Sequence, residues 1–422
     1  MKVPATPPST YRSAAAVVTI VFFMLGFITC LNDILIPHLR NAFSLNYAQA
    51  MLVQSTFFGT YFLISLPAGK IVTRMGYQKA LAIGLLIAAV GATLFYPAAG
   101  MQSYAMFLLA LFVLASGVTV LQVAFNPYMA LLGPEETASS RMSLAHAFNS
   151  LGTTVAPAFG GLLILSSQML TPELEAGMTA QALALYRSTE AHAVQLPYLG
   201  LACTLVAVAA LVYFWPLPDF RSQQTSAHRV ARGLFEPLRY RHLRLAVLGI
   251  FFYVGAEVSI GSFMINYLAH PDVGATTHSR AAFLLSLYWG GAMVGRFLGA
   301  WVLRRIPAGA VLAACAAGAG GLVLASMLST GNTAVWTIIA VGLMNSIMFP
   351  TIFSLGIVGL RDMTPQASSL ISMAIVGGAI MPLLQGLMAD RIGIQAAYFV
   401  PVLCYVYIAF YGAIGSRPQR AG

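Results

Sequence analysis

Residues 17–39 read VVTIVFFMLGFITCLNDILIPHL. This is a nearly unbroken apolar run of about twenty residues, the length that crosses a bilayer as a helix. Asn32 and Asp33 stand side by side within it. An ionised carboxylate at membrane depth costs roughly 3 kcal/mol even on the gentlest scales, so something must offset it. Asp33 is therefore expected to face a water-accessible cavity between helices and to take part in binding or ion coupling. The competing expectation is that it lies near the outer end of the span and reaches water by snorkelling. Thr29, Asn32 and Asp33 fall on one stripe at spacings of three and four, with Gly26 a further turn back, so this helix has an inward face.

The rest of the chain agrees with a bilayer. Of its 422 residues, 59% are hydrophobic and 8% are charged, against about 25% charged in soluble domains. Backbone polar groups in lipid must pair within their own element, which leaves helix bundles or closed barrels. The long apolar runs indicate helices, since a barrel shows alternating segments of about ten residues. Twelve spans are expected, near 16–39, 48–71, 79–99, 103–132, 141–167, 197–217, 243–269, 281–303, 309–329, 333–360, 368–390 and 395–415. The widest interior polar stretch, residues 218–244, carries six arginines and divides the chain into an N-terminal six-helix bundle (1–217) and a C-terminal one (245–422).

The net charge of +10 does not imply a nucleic-acid partner, because the basic residues lie in short loops between apolar runs. With both termini and the linker cytoplasmic, seventeen Lys and Arg fall on that side, four on the other, and Arg296 inside a span. Such asymmetry sets topology. The expected location is a bacterial inner membrane, multi-pass, with both termini cytoplasmic. The first apolar run lacks a small-residue cleavage site and reads as a retained span. Cys30, Cys203, Cys315 and Cys404 have no paired spacing, so neither a disulfide framework nor a metal site is expected. The absence of Walker A, HExxH and GxSxG strings argues against ATP-driven transport and an intramembrane enzyme. No cofactor is expected.

The two halves echo each other. FFxxG occurs at 22–26 and 251–255, GxxxxR at 69–74 and 299–304, Pro127 matches Pro350, and Pro157 with Gly161 matches Pro382 with Gly386. The offsets keep between 223 and 230 residues, in order. A duplicated six-span unit is the architecture of secondary transporters, with a midplane site between the halves. The fold class expected is thus an all-α integral membrane protein with twelve transmembrane helices in two pseudo-symmetric bundles.

Twelve spans in two sixes, with GKIVTRMGYQKA at 69–80, resemble the major facilitator superfamily, although that loop motif's usual aspartate is absent. LNDILIPHL (31–39), LQVAFNPYMALLGP (121–134), AHAFNSLG (145–152), FFYVGAEVSIGSF (251–263) and FPTIFSLGIVGL (349–360) resemble the fucose–galactose–glucose/proton symporter family. The resemblance covers nearly the whole chain. It implies uptake of a sugar coupled to a cation, usually a proton, and Asp33 falls on the family's span 1 aspartate. Where fucose-transporting members carry a glutamate this chain has Gln122, and where they carry a neutral residue it has Glu257. That departure points to the glucose/galactose-type branch. It leaves open which of Asp33 and Glu257 takes the proton, whether sodium replaces it, and whether an amino sugar or fucose is the cargo.

The candidate coupling residues are Asp33 and Glu257. The candidate substrate contacts are Asn32, Asp33, Gln122, Asn126, His146, Asn149, Glu257, Asn266, Trp289, Asn345 and Phe349. Gln122 and Asn126 share a face of span 4, and amides suit sugar hydroxyls because each both donates and accepts. Pro127 removes a backbone donor just beyond them. Asn149 lies in the family-like FNSLG string. His146 is either a proton carrier or a hydrogen-bonded structural residue. Glu257 either couples a cation or forms an internal pair with Arg296; the alternative for Arg296 is to anchor cytoplasmic helix ends. Phe349 and Trp289 offer apolar faces to a sugar ring, or simply pack. A drug or metabolite antiporter on the same scaffold is the alternative, along with a sugar receptor that does not transport. The inward Asn and Gln favour hydroxyl-rich cargo, carried by a monomer.

Overall fold

The computed structural model describes residues 13–29, 47–163, 178–218, 220, 233, 235–271, 273, 274, 276 and 278–417. No strand occurs among them. The protein is an all-α integral membrane protein, and its helices follow the expected spans in order. They are α1 (Ser13–Thr29), α2 (Tyr47–Met75), α3 (Tyr77–Gly100), α4 (Tyr104–Leu131), α5 (Ala138–Leu163), α6 (Gln195–Phe214), α7 (Arg241–Ala269), α8 (His278–Val302), α9 (Ala308–Met327), α10 (Gly331–Ile357), α11 (Thr364–Ile392) and α12 (Ile394–Gly415). Among the described residues, eight helices are long and apolar enough to cross a membrane. Residues 30–39 of the first expected span, the end of the fifth, and most of the polar linker lie outside the described residues.

Three features differ from the sequence expectation. An additional helix, Ala180–Ala193, precedes α6; Thr179 caps it by accepting from the Ala182 amide. Two expected spans are interrupted. In α10 the first helix stops at Asn345 and a second begins at Met348, while α11 passes through a 3₁₀ turn at Ala374–Val376. Pro350 accounts for part of the first interruption. It has no N–H to offer the carbonyl four residues back, that of Ser346.

Packing groups the described residues into two units. One takes those within Met1–Ile64, Met75–Phe125 and Phe148–Asp219; the other those within Ser65–Arg74, Asn126–Ala147 and Phe220–Gly422. The internal repeat is visible inside each unit taken alone. In the first, a Cβ on Gly26 would overlap the Asn149 backbone and one on Gly152 would overlap the Phe23 carbonyl, so α1 and α5 touch through their main chains. In the second, a Cβ on Gly377 would overlap the Phe251 carbonyl, which joins α7 and α11 the same way, and one on Gly255 would overlap the Met381 side chain. Small residues let helix backbones approach where lipid gives no hydrophobic drive for association.

Glutamines at the helix ends repeat too. Gln195 at the start of α6 donates to the Tyr96 carbonyl of α3 at 3.0 Å, and Gln395 at the start of α12 donates to the Met327 carbonyl of α9 at 2.9 Å. At the other end of α6, Gln78 donates to the carbonyls of Val212, Tyr213 and Trp215 at 2.8–3.0 Å. These carbonyls belong to a helix end, where the main chain has no partners of its own. The close α1–α5 contact yields a direct test. Gly152→Val should lower the thermal-unfolding midpoint of the purified protein by about 5 °C or more through overpacking. Gly200→Val, at a site with nothing within 4 Å of an added Cβ, should change it little.

Candidate functional site

The second intramembrane acid has a built environment. Glu257 lies one turn beyond Tyr253 on α7, and the Tyr253 hydroxyl donates to its Oε1 at 2.7 Å. Arg296 on α8 brings Nη2 to 4.0 Å from the same oxygen, with 12% of its side chain exposed against 16% for Glu257. Arg296 Nε donates to the Ser346 carbonyl at 3.2 Å, the group that Pro350 leaves without a helical donor. Of the two expectations for Arg296, the geometry therefore favours the inward one: it sits between Glu257 and the interruption of α10. A buried charge of either sign needs such partners, since removing one leaves the other uncompensated.

The interruption is held by tyrosines. Asn345 is fully buried. Its Nδ2 donates to Tyr288 Oη of α8 at 2.8 Å, and its Oδ1 accepts from Tyr405 Oη of α12 at 2.7 Å. Its backbone carbonyl lies 3.2 Å from Tyr253 Oη. The Asn345 amide is thus engaged by neighbouring helices in this structure. Phe349 follows, its ring centroid 5.3 Å from His146 and 6.3 Å from Tyr253. His146 Nε2 and Asn126 Oδ1 are 3.2 Å apart, both residues buried. Asn126, His146, Glu257, Asn345 and Phe349 therefore share one connected neighbourhood within a single packing unit.

Gln122 is buried on α4 in the first unit. Asn149 donates through Nδ2 to the Phe22 carbonyl at 2.9 Å, tying α5 to α1. Asn266 is exposed on α7. Trp289 is 43% exposed and makes an edge contact with Tyr288 at 5.1 Å. Asn32 and Asp33 lie outside the described residues. Tyr288 and Tyr405 escaped the sequence reading. The available signal was a phenol in the middle of an apolar span, where its hydroxyl has to find a partner.

A model of the Major Facilitator Superfamily matches residues 17–376. The chain belongs to that superfamily. It is accordingly a multi-pass membrane transporter and not an enzyme. It is 51% identical over 407 residues to a glucose/galactose transporter of Brucella abortus biovar 1 (strain 9-941), covering 96% of this chain and 95% of the relative. It is 36% identical to the L-fucose-proton symporter of Escherichia coli (strain K12), covering 97% and 94%. Among solved structures, that of a point variant of the E. coli fucose:proton symporter FucP matches with TM-score 0.88 at 34% identity, covering 97% of this chain and 100% of the other. A structure of FucP in the outward conformation matches with TM-score 0.87 over the same shares.

The tyrosine clamp on Asn345 makes a stability prediction. Tyr405→Phe leaves a buried amide oxygen without its donor, at a cost of about 1–3 kcal/mol. The unfolding midpoint of the purified variant should fall by several degrees, and a midpoint equal to wild type would show that the bond carries no weight.

Proposed function

We propose that the chain is a proton-coupled symporter that imports a hexose such as glucose or galactose by alternating access. The observation that carries this reading is the 51% identity, over 96% of the chain, to a protein named a glucose/galactose transporter. The relative named an L-fucose-proton symporter supports a proton over sodium as the coupling ion. Gln122 and Glu257, where fucose-transporting members differ, support a hexose of the glucose/galactose type. The two six-helix halves are taken as 1–217 and 245–422, joined by a cytoplasmic linker at 218–244, in a protein that works as a monomer. The asymmetry of basic residues supports cytoplasmic termini, and the bacterial relatives support an inner-membrane location.

In this reading Asp33 and Glu257 are the coupling carboxylates. Gln122, Asn126 and Asn149 offer amides to sugar hydroxyls, with Asn32 and Asn266 as further polar contacts. Phe349 and Trp289 offer apolar faces to the ring, and His146 buttresses Asn126. Asn345 acts on the site from behind, its amide already engaged by Tyr288 and Tyr405. Protonation neutralises a carboxylate and so lowers the cost of closing the protein around it. Symport requires that sugar and proton favour the same closed state, a reciprocal linkage between two sites.

The test is uptake of radiolabelled sugar into proteoliposomes under imposed pH or sodium gradients, with hexoses, deoxyhexoses and amino sugars as competitors. An inward proton gradient should drive accumulation, and glucose or galactose should compete best. Accumulation driven by sodium alone, or competition by L-fucose alone, would replace this reading. Asp33→Asn should lower concentrative uptake by about tenfold or more, the scale of an ordinary coupling energy, while losing less of sugar exchange. Normal accumulation against a gradient by that variant would remove Asp33 from the coupling role.

A further inference from the structure

Tyr253 has one hydroxyl hydrogen and faces two acceptors. Glu257 Oε1 lies 2.7 Å away and the Asn345 carbonyl 3.2 Å away. A phenol donates once and also accepts at its oxygen. While Glu257 is ionised, the bond to the carboxylate prevails, because a charge-assisted hydrogen bond is roughly twice as strong as a neutral one. A proton on Glu257 reverses the order. The carboxylic O–H donates to Tyr253 Oη, and the tyrosine hydrogen turns to the Asn345 carbonyl. We propose that Tyr253 is a positioning residue that transmits the protonation of Glu257 on α7 to the interruption of α10. This rests on the reading of Glu257 as a coupling acid. The proton arrives from water at the partly exposed carboxylate and stays there, so only hydrogen bonds change beyond it.

The receiving end is held in register. The Asn345 side chain is fixed on both sides, by Tyr288 and by Tyr405, so its carbonyl keeps its place beside Tyr253. The next carbonyl, that of Ser346, accepts from Arg296 Nε, and the same guanidinium faces Glu257. Neutralising Glu257 thus removes its attraction for Arg296 at the moment Tyr253 turns away. Both effects fall on consecutive carbonyls, 345 and 346, where α10 is already broken. Against Glu257 lie Tyr253 on its own helix and Arg296 on α8; Tyr288 on α8 and Tyr405 on α12 hold the Asn345 amide, and His146 on α5 lies against Phe349. Among these Arg296 bears the fixed charge. Tyr253 alone touches both the acid and α10 through a single hydrogen.

The experiment compares wild type, Tyr253→Phe and Glu257→Gln in proteoliposomes with radiolabelled galactose. It measures accumulation driven by a pH gradient and equilibrium exchange without one. Both variants should lower the ratio of accumulation to exchange by about fivefold or more, the scale of an ordinary coupling energy. A second readout is hydrogen–deuterium exchange of residues 343–349 in the purified proteins at acidic and alkaline pH, corrected for intrinsic rates. Protection should change with pH in wild type and stay flat in both variants. If Glu257→Gln accumulates galactose as wild type does, Glu257 is not a coupling acid and the relay falls with it. If Glu257→Gln fails while Tyr253→Phe matches wild type in both readouts, the relay alone is overturned. Should Tyr253→Phe not fold, the comparison of wild type with Glu257→Gln decides, and a pH-independent α10 in wild type overturns the proposal.

Discussion

The hydrogen bond from Tyr253 to Glu257 stands for the constraint on which the cluster around α10 depends: with lipid outside, each polar group must find its partner in the protein. The carboxylate has a phenol and a guanidinium. The guanidinium has the Ser346 carbonyl, exposed by Pro350. The Asn345 amide has two phenols. Apart from Tyr253, which shares α7 with Glu257, each partner comes from another helix, so α7, α8, α10 and α12 are bound by polar contacts as well as by packing. Polar bonds between membrane helices are individually worth only about 1 kcal/mol. Their importance here lies in geometry, because together they fix one acid and one interrupted helix against each other.

Main-chain approach supplies the other half of the architecture. Gly152 against the Phe23 carbonyl in one unit and Gly377 against the Phe251 carbonyl in the other are comparable main-chain contacts, one residue out of the FFxxG register, between first and fifth helices of each half. The glutamines at 195 and 395 repeat as well, each on the carbonyls of the third helix of its half. Duplicated sequence has therefore kept duplicated contacts where no side chain fits. It has not kept duplicated chemistry. Glu257 has a phenol and a guanidinium around it, whereas the equivalent position in the FFxxG register is the buried Ile28. One fold can tolerate this divergence because the glycine contacts set the helix spacing independently of what the polar faces carry.

Much of this was legible in the chain itself. Span order and the internal repeat follow from apolar length and from motif offsets, since lipid leaves helices few alternatives. A spacing of four puts Tyr253 and Glu257 on one face of α7, while Arg296, the lone base in an apolar run, allows two readings, a partner of Glu257 or an anchor of helix ends. The interruption of α10 was less accessible. Pro350 announces a missing donor, but a proline inside a membrane helix is often absorbed, as Pro127 is in α4, which continues to Leu131. Nor does sequence say which hydroxyl reaches which amide across helices. Tyr288 and Tyr405 lie 57 and 60 residues from Asn345, and local periodicity carries no information over that range.

The engagement of Asn345 bears on where cargo recognition resides. An amide already donating to one tyrosine and accepting from another has one hydrogen and one lone pair left, and it is fully buried. A sugar hydroxyl can use only that remaining hydrogen and lone pair unless a tyrosine bond is given up, which would leave a buried hydroxyl unpaired at a cost of about 1–3 kcal/mol. That cost exceeds what one neutral hydrogen bond returns. In the proposed function this favours Phe349 over Asn345 as the contact that this helix offers a sugar, through apolar area and shape. What the two tyrosine bonds do is fix Asn345 at the interruption of α10.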